Sequence, residues 1–83
     1  MNDTNQEYAT SEFPLAAALL CMQIKLVDLR PSKEGAGRIE FIFGKDEVIE
    51  KFISGYWAGN LRVEPKEFWN HTRELKSRIK AQA

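Results

Sequence analysis

The sequence has few of the residues that most often carry chemistry. It contains one cysteine, Cys21, and one histidine, His71. A single cysteine excludes an intrachain disulfide, and a lone thiol is typical of proteins in a reducing cytoplasm. No second histidine or cysteine stands near His71 at the spacing of a zinc site, so we predict a solvated histidine and no metal.

Long apolar runs and an excess of one charge are also absent. The longest apolar run, residues 15–22, is much shorter than the roughly 20 residues of a membrane helix. An acidic segment precedes it, whereas a signal peptide opens with a basic one. Lysine and arginine together number 12, as do aspartate and glutamate, so net charge favours neither nucleic acid nor a membrane as partner. We expect a cytoplasmic protein.

Each candidate for catalysis or cofactor binding has a simpler structural explanation. Cys21 stands in an apolar helix, where burial keeps a thiol protonated and inert. The glycines at 35 and 37 lack the helix and the third glycine of a nucleotide-binding loop, and they predict a hairpin turn. The acids Asp46, Glu47 and Glu50 favour the start of a helix through its dipole. The sequence therefore predicts a protein that is not an enzyme and has no cofactor.

Hydrophobic periodicity predicts one small α+β domain, residues 10–83, after a flexible tail, residues 1–9. A first helix follows Ser11 as N-cap, with Pro14 at N3. Two strands, residues 24–30 and 38–43, flank a turn-rich connector. A second helix ends at Gly59, and Pro65 begins a third. The order α-β-β-α-α predicts a two-stranded antiparallel hairpin packed against three helices.

Apolar and polar residues alternate clearly in the second strand, whereas both faces of the first strand are partly apolar. One assignment places Val27, Leu29, Ile39, Phe41 and Phe43 towards the helices. If that assignment holds, Ile24, Leu26 and Ile42 face outward together, with charged residues around them. An apolar centre with a charged rim is typical of a protein interface. The alternative is that the first helix or the N-terminal tail covers this patch.

The aromatic residues of the second and third helices divide into two groups. Phe52, Tyr56 and Phe68 recur at helical spacing with other apolar residues, so we predict that they lie in the core. Trp57 and Trp69 each stand one position past an apolar stripe. Tryptophan at such an edge either seals the packing between two helices or binds a partner.

The third helix also carries a row of basic residues. Arg73, Lys76 and Lys80 are spaced three and four residues apart and share one face. Together with Lys33 in the hairpin connector, this row is suited to following the phosphates of a nucleic acid. The alternative is a solvated face, because the helix dipole favours cations near a C-terminus and a glutamate four residues before Arg78 can pair with it.

Three segments of the chain carry a family resemblance. They are TSEFPLAAALL at residues 10–20, GRIEFIF at 37–43 and GYWAGNLRVEPKEFWNHTRELKSRIK at 55–80. Over roughly residues 8–80 the chain resembles a family of short uncharacterised domains from bacteria, archaea and their phages. That family shows a TS-x₃-LAAALL start, an EFIF-like strand, a YW-x-G-x-L-x-V loop and an LKSRI-like end, with aspartate where this chain has Glu64. The resemblance implies a compact domain often encoded in mobile or viral genomes, and no chemistry.

These observations predict a non-catalytic module that binds another protein and forms a homodimer. The candidate interface residues are Ile24, Leu26, Ile42, Trp57 and Trp69. The alternative function is that of a small accessory protein that binds nucleic acid. Its candidate contacts are Lys33, Arg73, Lys76 and Lys80.

Overall fold

The fold is a small α+β arrangement of one antiparallel sheet and three helices. The computed structural model describes residues 7–32, 37–45 and 47–82. Within them the order is β1 (Glu7–Thr10), α1 (Phe13–Cys21), β2 (Leu26–Pro31), β3 (Ile39–Gly44), α2 (Glu47–Ala58) and α3 (Pro65–Gln82). The predicted fold class is confirmed, but the sheet has three strands in the order β1-β3-β2. The predicted two-stranded hairpin is therefore corrected.

The additional strand is β1, which comes from residues that the sequence pattern placed largely in the tail. It pairs antiparallel with β3, with Tyr8 opposite Phe43 and Thr10 opposite Phe41. Four residues are too few to show a strand period, and β1 depends on pairing with β3 rather than on local propensity. Tyr8 packs against the core. Residues 1–6 of the predicted tail lie outside the described residues.

A β-bulge in β2 changes which side chains face the helices. Leu26 is opposite Phe43 and Asp28 is opposite Ile42, so Val27 is an extra residue without a partner in β3. A bulge shifts the alternation of side chains by one residue. Leu26 and Leu29 consequently both face the helices, and Val27 is 51% exposed. The predicted facing, with Val27 inward and Leu26 outward, is wrong for these two residues.

The outer face of the sheet, opposite the helices, contains one buried apolar side chain, Ile42, which is 1% exposed. Nη1 of Arg30 on β2 lies 3.2 Å from Oε1 of Glu7 on β1. Because β3 lies between these two strands, the ion pair crosses β3 at the level of Ile42. Arg30 also donates a hydrogen bond from Nε to Oδ2 of Asp28 at 3.0 Å, and this bond lowers the pKa of Asp28. Charged side chains of the flanking strands therefore cover Ile42.

The core lies between the sheet and the helices, and α1 supplies its largest share. Residues 15–19 of α1 are all buried, and the helix packs against α2, α3 and β1. Its three alanines let neighbouring backbones approach closely. The buried residues that form the core cluster are Leu15, Ala16, Ala17, Leu19, Leu29, Phe41, Phe43, Ile49 and Leu75. Phe52, Tyr56 and Phe68 pack against this cluster, as predicted.

Helix boundaries partly follow the sequence signals. Helix α1 has Glu12 as its N-cap, with no side-chain cap, and Pro14 is at N2 rather than N3. The predicted Ser11 cap is therefore wrong. The backbone N–H of Glu12 donates instead to the hydroxyl of Thr10 at 3.0 Å. Pro65 begins α3 as predicted.

Hydrogen bonds also cap the C-terminal end of α2 and the N-terminal end of α3. The Glu64 carboxylate accepts a 2.8 Å bond from the N–H of Glu67, and so caps α3. Gly59 ends α2 with φ of 78°. The N–H groups of Gly59 and Asn60 donate to the carbonyls of Tyr56 and Gly55, which is the Schellman pattern. The predicted left-handed role of Gly59 is confirmed.

Helix α1 ends with the same hydrogen-bond pattern but without a glycine. Gln23 and Ile24 donate to the carbonyls of Leu20 and Leu19 at 2.9 and 3.0 Å. Gln23 occupies the left-handed position with φ of 67°. A side chain with a β-carbon is strained there by about 1–2 kcal/mol, because the β-carbon approaches the following carbonyl oxygen.

We expect Gln23→Gly to raise the free energy of unfolding by about 0.5–1 kcal/mol, since glycine removes this strain but gives a more flexible unfolded chain. Urea unfolding measures the change. Gln23→Ala is the matched control, because it removes the same polar group and keeps the β-carbon. An equal gain in both variants would contradict the explanation by backbone strain.

We expect Ile42→Ala to lower the free energy of unfolding by about 2–5 kcal/mol, as for other buried isoleucines. Val27→Ala, at the exposed bulge, should change it by less than about 0.5 kcal/mol. The loss at Ile42 should not depend on protein concentration, because the chain itself covers this side chain. A loss that varies with concentration in denaturant titrations would instead place Ile42 in a subunit interface.

Candidate nucleic-acid interface

Helix α3 presents an apolar side to the core and charged sides to solvent. Thr72 and Leu75 are buried, and Phe68 and Ile79 are half-buried, at the predicted spacing of four, three and four. The Thr72 hydroxyl donates to the carbonyl oxygen of Trp69 at 2.7 Å, so its burial leaves no hydrogen-bonding group unpaired. This buried stripe fixes the rotation of α3 about its axis and thereby decides which residues face solvent.

Basic and aromatic residues share one exposed side of α3, which we call the basic face. Its residues, all exposed, are Lys66, Trp69, Arg73, Lys76 and Lys80. At 3.6 residues per turn they fall within an arc of about 80°. By the same geometry, Glu67 and Glu74 lie on the opposite flank of the helix. Arg78 lies on the acidic flank, and the other four cations of α3 are therefore separated from Glu67 and Glu74.

The cations of the basic face have no acidic partners in the described part of the chain. The ion pairs found there within 4.0 Å involve Arg30, Lys45 and His71 as the basic members. Oε1 of Glu74 lies 3.2 Å from Nδ1 of His71, rather than pairing with Arg78. From Lys66 to Lys80 the helix rises about 21 Å, so four positive charges follow one another along this length without a neutralising carboxylate.

Both tryptophans are on the surface. Trp69 is 59% exposed and Trp57 is 63% exposed. The rings of Trp57 and Tyr56 form a T-shaped contact, with ring centroids 4.9 Å apart. The hydroxyl of Tyr56 donates to Oε2 of Glu12 at 2.8 Å, which ties α2 to the start of α1. Tyr56 therefore packs against one part of the Trp57 side chain, while most of the indole remains in solvent.

The other candidate interface residues are less exposed than the tryptophans. Ile24 and Leu26 are half-buried and pack against the core cluster. Ile42 lies on the outer face of the sheet beneath the ion pair of Arg30. The structure therefore does not bring these three residues together as an exposed apolar patch. Lys33 and Asp46 lie outside the described residues.

Two depressions share Ile79 as a lining residue. One, of about 560 Å³, is lined by Lys76, Ser77, Ile79 and Lys80, and it therefore adjoins the basic face. The other, of about 230 Å³, is lined by residues that include Ile79 and Arg38, which directly precedes β3. Arg38 is exposed.

The groups considered for catalysis or metal binding are not assembled into a reactive site in the described residues. Burial raises the pKa of the Cys21 thiol, and the charges of Glu67 and Glu64 raise it further. A raised pKa keeps the thiol protonated and therefore weakly nucleophilic. No group of three histidine, cysteine, aspartate or glutamate side chains in the described ranges is placed to hold a metal ion.

A family match covers nearly the whole fold. The family model described as Domain of unknown function (DUF5659) matches residues 5–81. The chain belongs to this family. The resemblance to a family of uncharacterised domains is thereby confirmed, while no curated protein and no solved structure matches the chain. None of the helices in residues 7–32, 37–45 and 47–82 is both long and apolar enough to cross a bilayer.

Sequence reasoning found the basic row but not its full composition. It assigned Trp69 to a protein interface and Arg73, Lys76 and Lys80 to a separate site, although Trp69 stands four residues before Arg73 on the same line. Lys66, three residues before Trp69, lies on the same side of the helix. The helical spacing of these residues was already visible in the sequence. Arg38 had no such signal, because its sharing of a depression with Ile79 of α3 arises only in the folded chain.

We expect Tyr56→Phe to lower the free energy of unfolding by about 1 kcal/mol, the usual net value of one intramolecular hydrogen bond. Tyr8→Phe is the control, because the Tyr8 hydroxyl makes no hydrogen bond within the described residues, and its effect should be near zero. Thermal or urea unfolding measures both.

The effect of Tyr56→Phe should also depend on pH. Burial, with the bond to Glu12, raises the pKa of Tyr56 in the folded state. The stabilisation is then complete below the ordinary tyrosine pKa of about 10, and it is lost as pH rises through the higher folded-state value. A difference between wild type and variant that grows above pH 10 would contradict this sign.

Proposed function

We propose that the protein acts by binding rather than by catalysis, and that it binds nucleic acid through the basic face of α3. The observation that carries this proposal is the alignment of an exposed tryptophan and four cations, none of which forms an ion pair with another described residue, on one side of one helix. A basic stripe along a helix is the electrostatic footprint of a nucleic-acid-binding surface.

The physical basis of such binding is the release of counterions. A phosphate backbone carries a condensed layer of cations, and each lysine or arginine that neutralises a phosphate releases part of it. The four cations of the basic face lie on a rigid helix, so they are held in a row before a ligand arrives. On the protein, the conformational entropy lost on binding is therefore that of the lysine and arginine side chains and not of the backbone.

The zero net charge of the chain does not oppose this proposal, because the charges are separated in space. The acids Glu7, Asp28 and Glu40 are on the outer face of the sheet, and the helices pack against its other face. Exposed charges act over about 8–10 Å at physiological ionic strength. On α3 itself, Glu67 and Glu74 lie on the flank opposite the basic face, about one helix diameter (roughly 10–12 Å) away. A ligand on the basic face is therefore affected mainly by the cations beside it.

A protein partner and a homodimer remain predictions with less support. The apolar centre proposed for the sheet face is not exposed, since Ile42 is covered by its own chain. Self-association would have to use other surfaces, with Trp57 as the most exposed aromatic side chain. Light scattering at high micromolar concentration tests the homodimer, and a monomer mass would contradict it.

We expect the double variant Lys76→Gln/Lys80→Gln to weaken binding to a 15-nucleotide oligonucleotide. The slope of log affinity against log salt should fall by about 1.4 for a single strand or about 1.8 for a duplex, because two phosphate contacts are removed. The matched control is Lys51→Gln/Arg78→Gln, which changes net charge equally but at exposed positions off the basic face. Fluorescence anisotropy between about 50 and 200 mM salt measures both.

Two results would overturn the proposal. One is the absence of binding by the unsubstituted protein at about 50 mM salt, where phosphate contacts are strongest. The other is an equal loss of affinity in the two double variants, which would attribute binding to overall charge and not to the basic face. Circular dichroism confirms that both variants are folded.

A further inference from the structure

We infer that the basic face binds a single strand, with one base stacked on Trp69. This inference rests on the proposed function and specifies its ligand. The indole of Trp69 is largely in solvent, and it stands on the same line as the cations that would contact phosphates. An aromatic surface next to a row of cations is the combination by which proteins bind single strands without reading their sequence.

The order of residues along α3 sets the geometry of the complex. Relative to Trp69, the helix rise places Arg73 about 6 Å, Lys76 about 10 Å and Lys80 about 16 Å further along the axis. A strand that stacks one base on Trp69 can then follow these cations with its phosphates. At the 3.4 Å spacing of a stacked strand, this length corresponds to at most about five nucleotides.

An exposed tryptophan in this position favours a single strand over a duplex. In a duplex the faces of the bases are stacked on one another, and the phosphates form the outer surface. A helix lying on those phosphates would press the Trp69 ring against a charged backbone, with no base face available to it. A single strand presents both phosphates and free base faces, so it satisfies the cations and the indole together.

The surroundings of Lys76 and Lys80 provide room for such a strand. The depression of about 560 Å³ beside these residues contains the half-buried apolar side chain of Ile79. Sugar and base atoms that turn inward from the phosphates can lie there. The second depression is also lined by Ile79, and Arg38, which lines it too, is a further exposed cation.

The chain offers a direct spectroscopic test, because it contains two tryptophans. In Trp57→Phe the only indole is Trp69, and in Trp69→Phe it is Trp57. Both positions are exposed, so both variants are expected to fold. We expect a 15-nucleotide single strand to quench the emission of Trp57→Phe and to leave that of Trp69→Phe unchanged. The same sequence as a duplex should bind more weakly and cause little quenching.

Affinity measurements separate stacking from charge. Trp69→Ala should reduce the affinity for the single strand about tenfold or more, as for other stacked bases, and leave the salt slope unchanged. Trp57→Ala is the matched control and should change the affinity less than twofold. Inorganic polyphosphate, which has no bases, should bind without quenching Trp69.

The possible failures are distinguishable. If the lysine variants weaken binding but Trp69 emission does not change, or if duplex and single strand bind equally, the inference is overturned and the proposed function stands. If Trp69→Ala and Trp57→Ala have equal effects on affinity, the inference is overturned in the same way. If neither form of nucleic acid binds at about 50 mM salt, both fail.

Discussion

The rest of the structure depends on the burial of α1. This helix is apolar around its whole circumference, and residues 15–19 are all buried. A helix of this kind has to be covered on every side. The sheet, α2 and α3 each supply part of that cover, through residues such as Phe41, Ile49 and Leu75. In a chain of 83 residues few large apolar side chains are then left to form an exposed apolar surface.

The same requirement organises the surface. Because α3 directs Leu75 and Thr72 towards the core, its basic face is turned to solvent. The sheet directs Phe41 and Phe43 inward, and the one large apolar residue between them, Ile42, is covered by an ion pair between the flanking strands. Two tryptophans remain exposed. One of them, Trp69, lies among the cations of the basic face of α3, and this combination is why we propose that face as the binding surface.

Local signals in the sequence were sufficient for the end of α2 and the start of α3, but not for the start of α1 or for the sheet. Gly59 and Pro65 mark the facing ends of α2 and α3 because their backbone preferences act within a few residues. The strand β1 and the bulge at Val27 have no comparable local signal. Both are defined by pairing with β3, which is more than 10 residues distant along the chain in each case. Strict alternation therefore assigned Leu26 and Val27 to the wrong sides.

The sequence by itself determined the family, the α+β class and the line of cations on α3, because helical periodicity and family motifs can be read from neighbouring residues. Only the tertiary structure decided which apolar residues remain exposed. Ile42 is buried where an arginine from β2 and a glutamate from β1 form an ion pair across β3, and the exposure of both tryptophans depends on how the helices pack. These outcomes arise from contacts between distant segments, and no local pattern encodes them.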